Sequence, residues 1–133
     1  MKWSKKLSRT DAQQKTTGYK VPYLRFTKAK NPYNNQTWFR GSMFAGESWS
    51  NGLFGQHVVE ECKIDVDVHI AGVAKGTRSF LVTHDSSRQG NNNTPNTWLH
   101  YDNATLADLN AANHSGKVAT FEKTGNGYKL TIA

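Results

Sequence analysis

Cysteine is nearly absent. The single thiol, Cys62 among 133 residues, excludes an internal disulfide and any fold that depends on covalent staples. Long apolar runs are missing too: no stretch approaches the ~20 residues that a membrane-spanning helix needs. The opening MKWSKKLSRT carries positive charge with no apolar segment behind it. A signal peptide is therefore not expected, and a bacterial cytoplasmic setting is. The four Asn-x-Ser/Thr sequons, at Asn35, Asn92, Asn103 and Asn113, then read as incidental to an Asn-rich chain. Acid is short, with 10 Asp+Glu against 17 Lys+Arg and a net charge of +7. There is no internal repeat and no linker, and the length fits one domain, 1–133, able to bury its own core.

The charge that is present is unevenly placed. Lys2, Lys5, Lys6, Arg9, Lys15, Lys20, Arg25, Lys28 and Lys30 all fall within the first thirty residues, with Asp11 as the only acid there. Residues 47–67 reverse the balance, with Glu47, Glu60, Glu61, Asp65 and Asp67 against Lys63. Solubility charge would be more evenly mixed. A concentrated positive pole favours a polyanion, and nucleic acid is the commonest one in a cytoplasm.

Hydrophobic periodicity predicts strands. Cys62, Ile64, Val66, Val68 and Ile70 alternate with Lys63, Asp65, Asp67 and His69, the period of a half-buried strand. Cys62 is expected to be buried. Gly72 and Gly76 are expected to bracket a turn leading to TRSFLVTH (77–84) as hairpin partner. YLRFTK (23–28) and NTWLHY (96–101) are further strands. VATFEK (118–123) and GYKLTI (127–132) flank a tight turn at 124–127, where Gly and Asn tolerate positive φ. Helix is scarce. ATLADLNAAN (104–113), capped by Asp102 or Asn103 and striped by Leu106 and Leu109, is the best candidate, and 37–44 is a weaker one. About seven strands with one or two short helices make a small, mainly β barrel or sandwich.

Two polar segments interrupt this pattern, residues 8–20 and 84–96. Long polar loops in compact domains are often functional. Arg88, Gln89, Asn91, Asn92 and Asn93 form one dense set of potential base-edge readers. Arg donates two parallel hydrogen bonds to guanine, and Asn or Gln pairs with adenine. Arg9, Gln13, Gln14 and Lys15 offer the same chemistry in the first loop. Lys5, Lys6, Lys20, Arg25, Lys28 and Lys30 suit phosphates, which position without specifying.

The opening KKLSRTDAQQKT, continuing as GYKVPYLRFTKA, resembles the DNA-reading domains of restriction endonucleases of the EcoRII, BfiI and NgoFVII type. NTWLHY after a long polar loop also fits that pattern. The resemblance implies a seven-stranded open pseudobarrel, the fold of the plant B3 DNA-binding domain. It implies that 8–20 and 84–96 are two arms that enter the major groove of double-stranded DNA from opposite sides. It carries base reading to Arg9, Gln13, Gln14, Lys15, Tyr19, Lys20, Arg88, Gln89 and Asn91 to Asn93. Such a domain is a monomer that needs no cofactor to bind. Its partner is the nuclease domain of the parent enzyme, where alone Mg2+ would be needed.

Two rivals stand beside this reading. Glu61-Cys62-Lys63 matches half of a metal-dependent nuclease pattern, and Asp65, Asp67 and His69 share a strand face with it. The same residues also read as the solvent half of an alternating strand. His84, Asn91 and His100 carry the letters of another nuclease class, without the helix that class requires. A carbohydrate-binding module stacking sugars on Trp38, Trp49, Trp98 and Tyr101 is the second rival, although large aromatics more often pack inside.

Overall fold

The computed structural model describes residues 1–18, 20–26, 38–86, 96–125 and 127–133. In chain order the elements are β1 (Lys2–Lys6), β2 (Tyr23–Arg25), a π-helical turn (Phe39–Met43), β3 (Ser50–Phe54), β4 (His57–Ile70), β5 (Val73–Asp85), β6 (Asn96–His100), α1 (Asn103–Ala111), β7 (Val118–Thr124) and β8 (Gly127–Ile132).

The alternation read in the sequence sets the pleat. Cys62, Ile64, Val66, Val68 and Ile70 are buried, while Lys63, Asp65 and Asp67 between them are exposed. Each fully buried side chain of this size contributes ~1.5–3 kcal/mol, and a one-residue slip would turn the whole set to water. Burial, then Glu47 nearby, pushes the Cys62 thiol up to about 12, so it stays protonated and inert.

The strands form one sheet in the order β1-β7-β8-β4-β5-β6-β2, with β3 paired to β4 off that path. β4 is the axis. One of its edges pairs with β5 from Glu60 to Ile70. Its other edge takes β3 antiparallel along 57–61 and β8 parallel along 66–70. The sheet curls into an open half-barrel. Its two edge strands return towards each other, so that the Trp3 ring lies 5.1 Å from Phe26, the residue after β2. The mainly β pseudobarrel with short helices expected from the sequence is thus what forms, with eight strands among the described residues rather than seven.

Aromatic rings fill the barrel. Phe39, from the π-helical turn, stacks on Phe26 at 4.5 Å, and Phe44 packs against Phe121 at 5.8 Å and Tyr128 at 5.4 Å. Helix α1 packs alongside β5. Asp102 caps it by accepting from the Thr105 amide at 2.9 Å. Arg78 of β5 donates to Thr105 Oγ1 at 3.0 Å and to Asp108 Oδ2 at 2.8 Å. Leu109 is fully buried, and Leu106 packs partly against the core.

The turn between β4 and β5 differs from expectation. Ile70 pairs directly with Val73, so the two-residue loop is Ala71-Gly72, both at positive φ (52° and 80°). That is the backbone a tight antiparallel hairpin needs. Gly76, also at positive φ, lies inside β5 where the register shifts between Val68 and His69. No helix among the described residues is long and apolar enough to cross a membrane.

Candidate nucleic-acid interface

The first polar loop is pinned to the body at its base. Ser8 and Asp11 bond reciprocally: the Ser8 amide donates to Asp11 Oδ2 at 3.1 Å, and the Asp11 amide donates to Ser8 Oγ at 3.1 Å. The buried Asp11 also takes the Lys5 ammonium at 2.9 Å, and the Tyr101 hydroxyl donates to its carbonyl at 2.9 Å.

Gln13 sits at φ 60° and is only 3% exposed. Its side-chain amide donates to Val21 O at 2.7 Å and Thr10 O at 3.3 Å, closing the loop on itself. Gln14 reaches the other way and donates to Leu109 O at 2.9 Å, tying the loop to α1. The polar side chains of this segment therefore divide. Lys5, Gln13 and Gln14 make their contacts within the protein. Lys6, Arg9, Lys15, Lys20 and Arg25 have no carboxylate within ion-pair distance among the described residues. Of these, Lys6, Arg9 and Lys20 are exposed. Arg9 donates to Gln14 O at 3.3 Å and Lys20 to Asn110 Oδ1 at 3.3 Å.

The register of β2, β6 and β5 fixes where the second loop is rooted. Tyr23 pairs with His100 and Arg25 with Trp98, while Asp85 pairs with Asn96. The first loop thus ends at the His100 level, and the second departs from the Asp85–Asn96 level, four residues along β6. Tyr19, Lys28, Lys30, Arg88, Gln89, Asn91, Asn92 and Asn93 lie outside the described residues.

Two clefts lie beside the roots. One, of about 280 Å³, is lined by Lys5, Ser8, Thr10, Val21, Tyr23 and Arg25 among others. The other, of about 160 Å³, is lined by Tyr23, Phe54, Gly55, His57, Asp85 and Trp98. Tyr23 lines both. β2 and β6 turn Leu24 and Leu99 into the core and leave Tyr23, Arg25, Trp98 and His100 on the opposite face. The tip of the β3–β4 hairpin then folds over that face. Phe54 meets Trp98 at 5.1 Å, Tyr23 at 5.3 Å and His100 at 5.0 Å. Arg25 lies over Trp98 at 6.0 Å. Sequence reading missed Phe54, His57 and Asp85. The outward halves of YLR and TWLH were visible as a pattern, but the hairpin's approach was not.

The residues of the rival readings are dispersed. Lys63 and Asp65 are exposed, and the Glu61 carboxylate lies over Gly52, where a Cβ would collide with it. Asp67 Oδ2 is 3.0 Å from His69 Nε2. Among the described residues no group of three or more His, Cys, Asp or Glu could hold a metal ion. His84 pairs with Thr97 at 2.8 Å on the core side of β5 and β6, and His100 with Thr83 at 2.7 Å on the other side. Burial lowers the pKa of both, that of His100 to about 4, so both are neutral at neutral pH. Trp98 and Tyr101 are buried, and Trp49 is covered by Arg40 at 4.4 Å, with its indole donating to Phe44 O at 3.0 Å. Arg40 also holds the Glu60 carboxylate at 2.8 Å, which keeps its pKa low.

No protein-family model, curated protein or solved structure matches this chain.

Proposed function

We propose that this domain binds double-stranded DNA sequence-specifically, as the recognition or effector part of a restriction endonuclease whose nuclease lies in another domain of the parent enzyme. The observation that carries this reading is the group of five cations, Lys6, Arg9, Lys15, Lys20 and Arg25, without carboxylate partners among the described residues. They surround a loop whose backbone is fixed to the body by Asp11, Gln13 and Gln14. A pre-ordered cationic arm loses little entropy when it meets a polyanion. The roots of the two loops support the reading as well. They are separated by about 13 Å of strand at ~3.3 Å per residue, comparable with a major groove ~12 Å wide.

In this reading Lys6 and Arg25, with Lys28 and Lys30, hold phosphates. Arg9, Lys15, Tyr19 and Lys20 of the first arm read base edges, together with Arg88, Gln89, Asn91, Asn92 and Asn93 of the second. Lys5, Gln13 and Gln14 shape the first arm. The resemblance of KKLSRTDAQQKT and YLRFTKA to restriction-enzyme recognition domains supplies the biological setting. Two unlike arms suit one monomer on one asymmetric site.

Selection of bound duplexes from a random pool tests this. The expected outcome is one short consensus, bound without added metal, and plasmid left intact when Mg2+ is supplied. Enrichment of no sequence, or cleavage abolished by Glu61→Ala, would contradict it.

A further inference from the structure

The end strands of the sheet, β1 and β2, do not pair with each other, and the larger cleft lies at this seam. Lys5 of β1 lines it, as do Tyr23 and Arg25 of β2 and Ser8, Thr10 and Asp11 of the first loop. Its volume of about 280 Å³ is several times the ~30 Å³ that one water takes up in the liquid. The carboxylate in its wall is already engaged: Asp11, 7% exposed, takes the Lys5 ammonium at 2.9 Å and the Ser8 amide at 3.1 Å. The charge left over is that of Arg25, which has no carboxylate within ion-pair distance among the described residues. Arg25 lies over the Trp98 ring at 6.0 Å, a contact that uses the guanidinium face and leaves its N–H edge for an anion. Ser8 Oγ accepts from the Asp11 amide, so its own proton is free to point elsewhere. Lys5 has N–H groups beyond the one that Asp11 takes, and Thr10 adds a second hydroxyl.

We infer that this seam cleft seats one backbone phosphate of the bound DNA, held by Arg25, Thr10 and Ser8 with Lys5 behind them. The inference rests on the DNA-binding reading above and deepens it: one phosphate is enclosed, while the exposed Lys6 meets its own on open surface. A phosphodiester presents acceptors alone, which matches a wall whose unused groups are donors. A base edge also presents donors, and the carboxylate that could accept them is taken by Lys5. The reciprocal Ser8–Asp11 bonds fix the backbone that carries both hydroxyls before DNA arrives, so little ordering is lost on binding. Phosphate contacts position without specifying. A phosphate held between the two end strands and the base of the first loop therefore sets the register in which that loop meets the groove.

The test uses the selected duplex, with each phosphate in turn replaced by a neutral methylphosphonate. One position is expected to lose about tenfold in affinity and the others roughly threefold or less, because charge-assisted hydrogen bonds in an enclosed site are the strong ones. Arg25→Gln should bring the penalty at that position down to the level of the rest. Thr10→Val, which keeps shape and removes the hydroxyl, should lower the same penalty and no other. A merely structural defect would weaken every duplex alike and would not single out one phosphate. Equal penalties at all phosphates, or one large penalty that both variants leave intact, overturn the inference and leave the DNA-binding reading standing. Failure of the unsubstituted protein to bind any duplex overturns both.

Discussion

Gln13 and Lys15 stand two positions apart in one polar loop and serve different ends. Gln13 closes the loop by donating to Val21 O, so Gln13→Ala leaves a part-buried carbonyl without its donor. A loss of ~1–3 kcal/mol is expected from urea denaturation. Lys15→Ala should keep stability within ~0.5 kcal/mol. It should weaken duplex binding and flatten the salt slope by about one unit. The sequence does not separate such neighbours, because the partner that engages Gln14, Leu109 O, lies 95 residues away. Amides near a chain's own carbonyls and amides near a base look alike until the fold brings α1 to the loop.

His100 supplies a pH dependence. Burial holds its folded pKa near 4, below the 6.5 of a free imidazole. Between those values the unfolded chain binds a proton that the folded chain does not. Stability therefore rises with pH across that window and is lost on acidification from about 6.5 to about 4. His84 acts in the same direction. Glu60 and Asp108 carry the loss to lower pH. Arg40 holds Glu60 low; burial works to raise Asp108, but Arg78 and Lys75 outweigh it. Urea midpoints across the window should shift less with pH in His100→Phe than in the parent.

At the scale of elements, strands that bury one face were legible and strands that do not were hidden. The 62–70 alternation, the β7–β8 hairpin and α1 with its Asp102 cap all announce themselves by period or by turn chemistry. β1 (KWSKK) and β3 (SNGLF) do not, since each sends few apolar side chains inward and is held by its neighbour's hydrogen bonds. The β4–β5 turn was displaced for a related reason. Gly76 marks a register shift rather than the loop, and Ala71 adopts positive φ although it has a Cβ. That conformation costs an L-residue roughly 1–2 kcal/mol. Ala71→Gly is therefore expected to stabilise the protein by ~0.5–1 kcal/mol, seen as a rise of roughly 3 °C in Tm. An unchanged or lower Tm would mean the hairpin closes on another pair.

At the scale of the molecule, Arg25 links the first loop to the aromatic cluster, lining the cleft with Lys5 and Thr10 and lying over Trp98. The acids of β4 point elsewhere: Asp65 and Asp67 face solvent, Glu60 is held by Arg40, and Glu61 lies over Gly52. The basic pole was readable from the sequence. The packing of the β3–β4 hairpin tip over β2 and β6 was not, because it depends on contacts far apart in the chain. Long-range attraction from such a pole acts over about a Debye length, ~8 Å at physiological ionic strength. Binding should therefore respond to salt as a polyanion contact does.

The most direct measurement is the affinity for the selected duplex as monovalent salt is raised. With the five cations that have no carboxylate partner among the described residues meeting DNA, log K should fall linearly with log salt at a slope of about −3 to −5. Replacing Arg9 and Lys15 by alanine should flatten that slope without unfolding the protein. An affinity that ignores salt, or a slope untouched by the double substitution, would contradict the account.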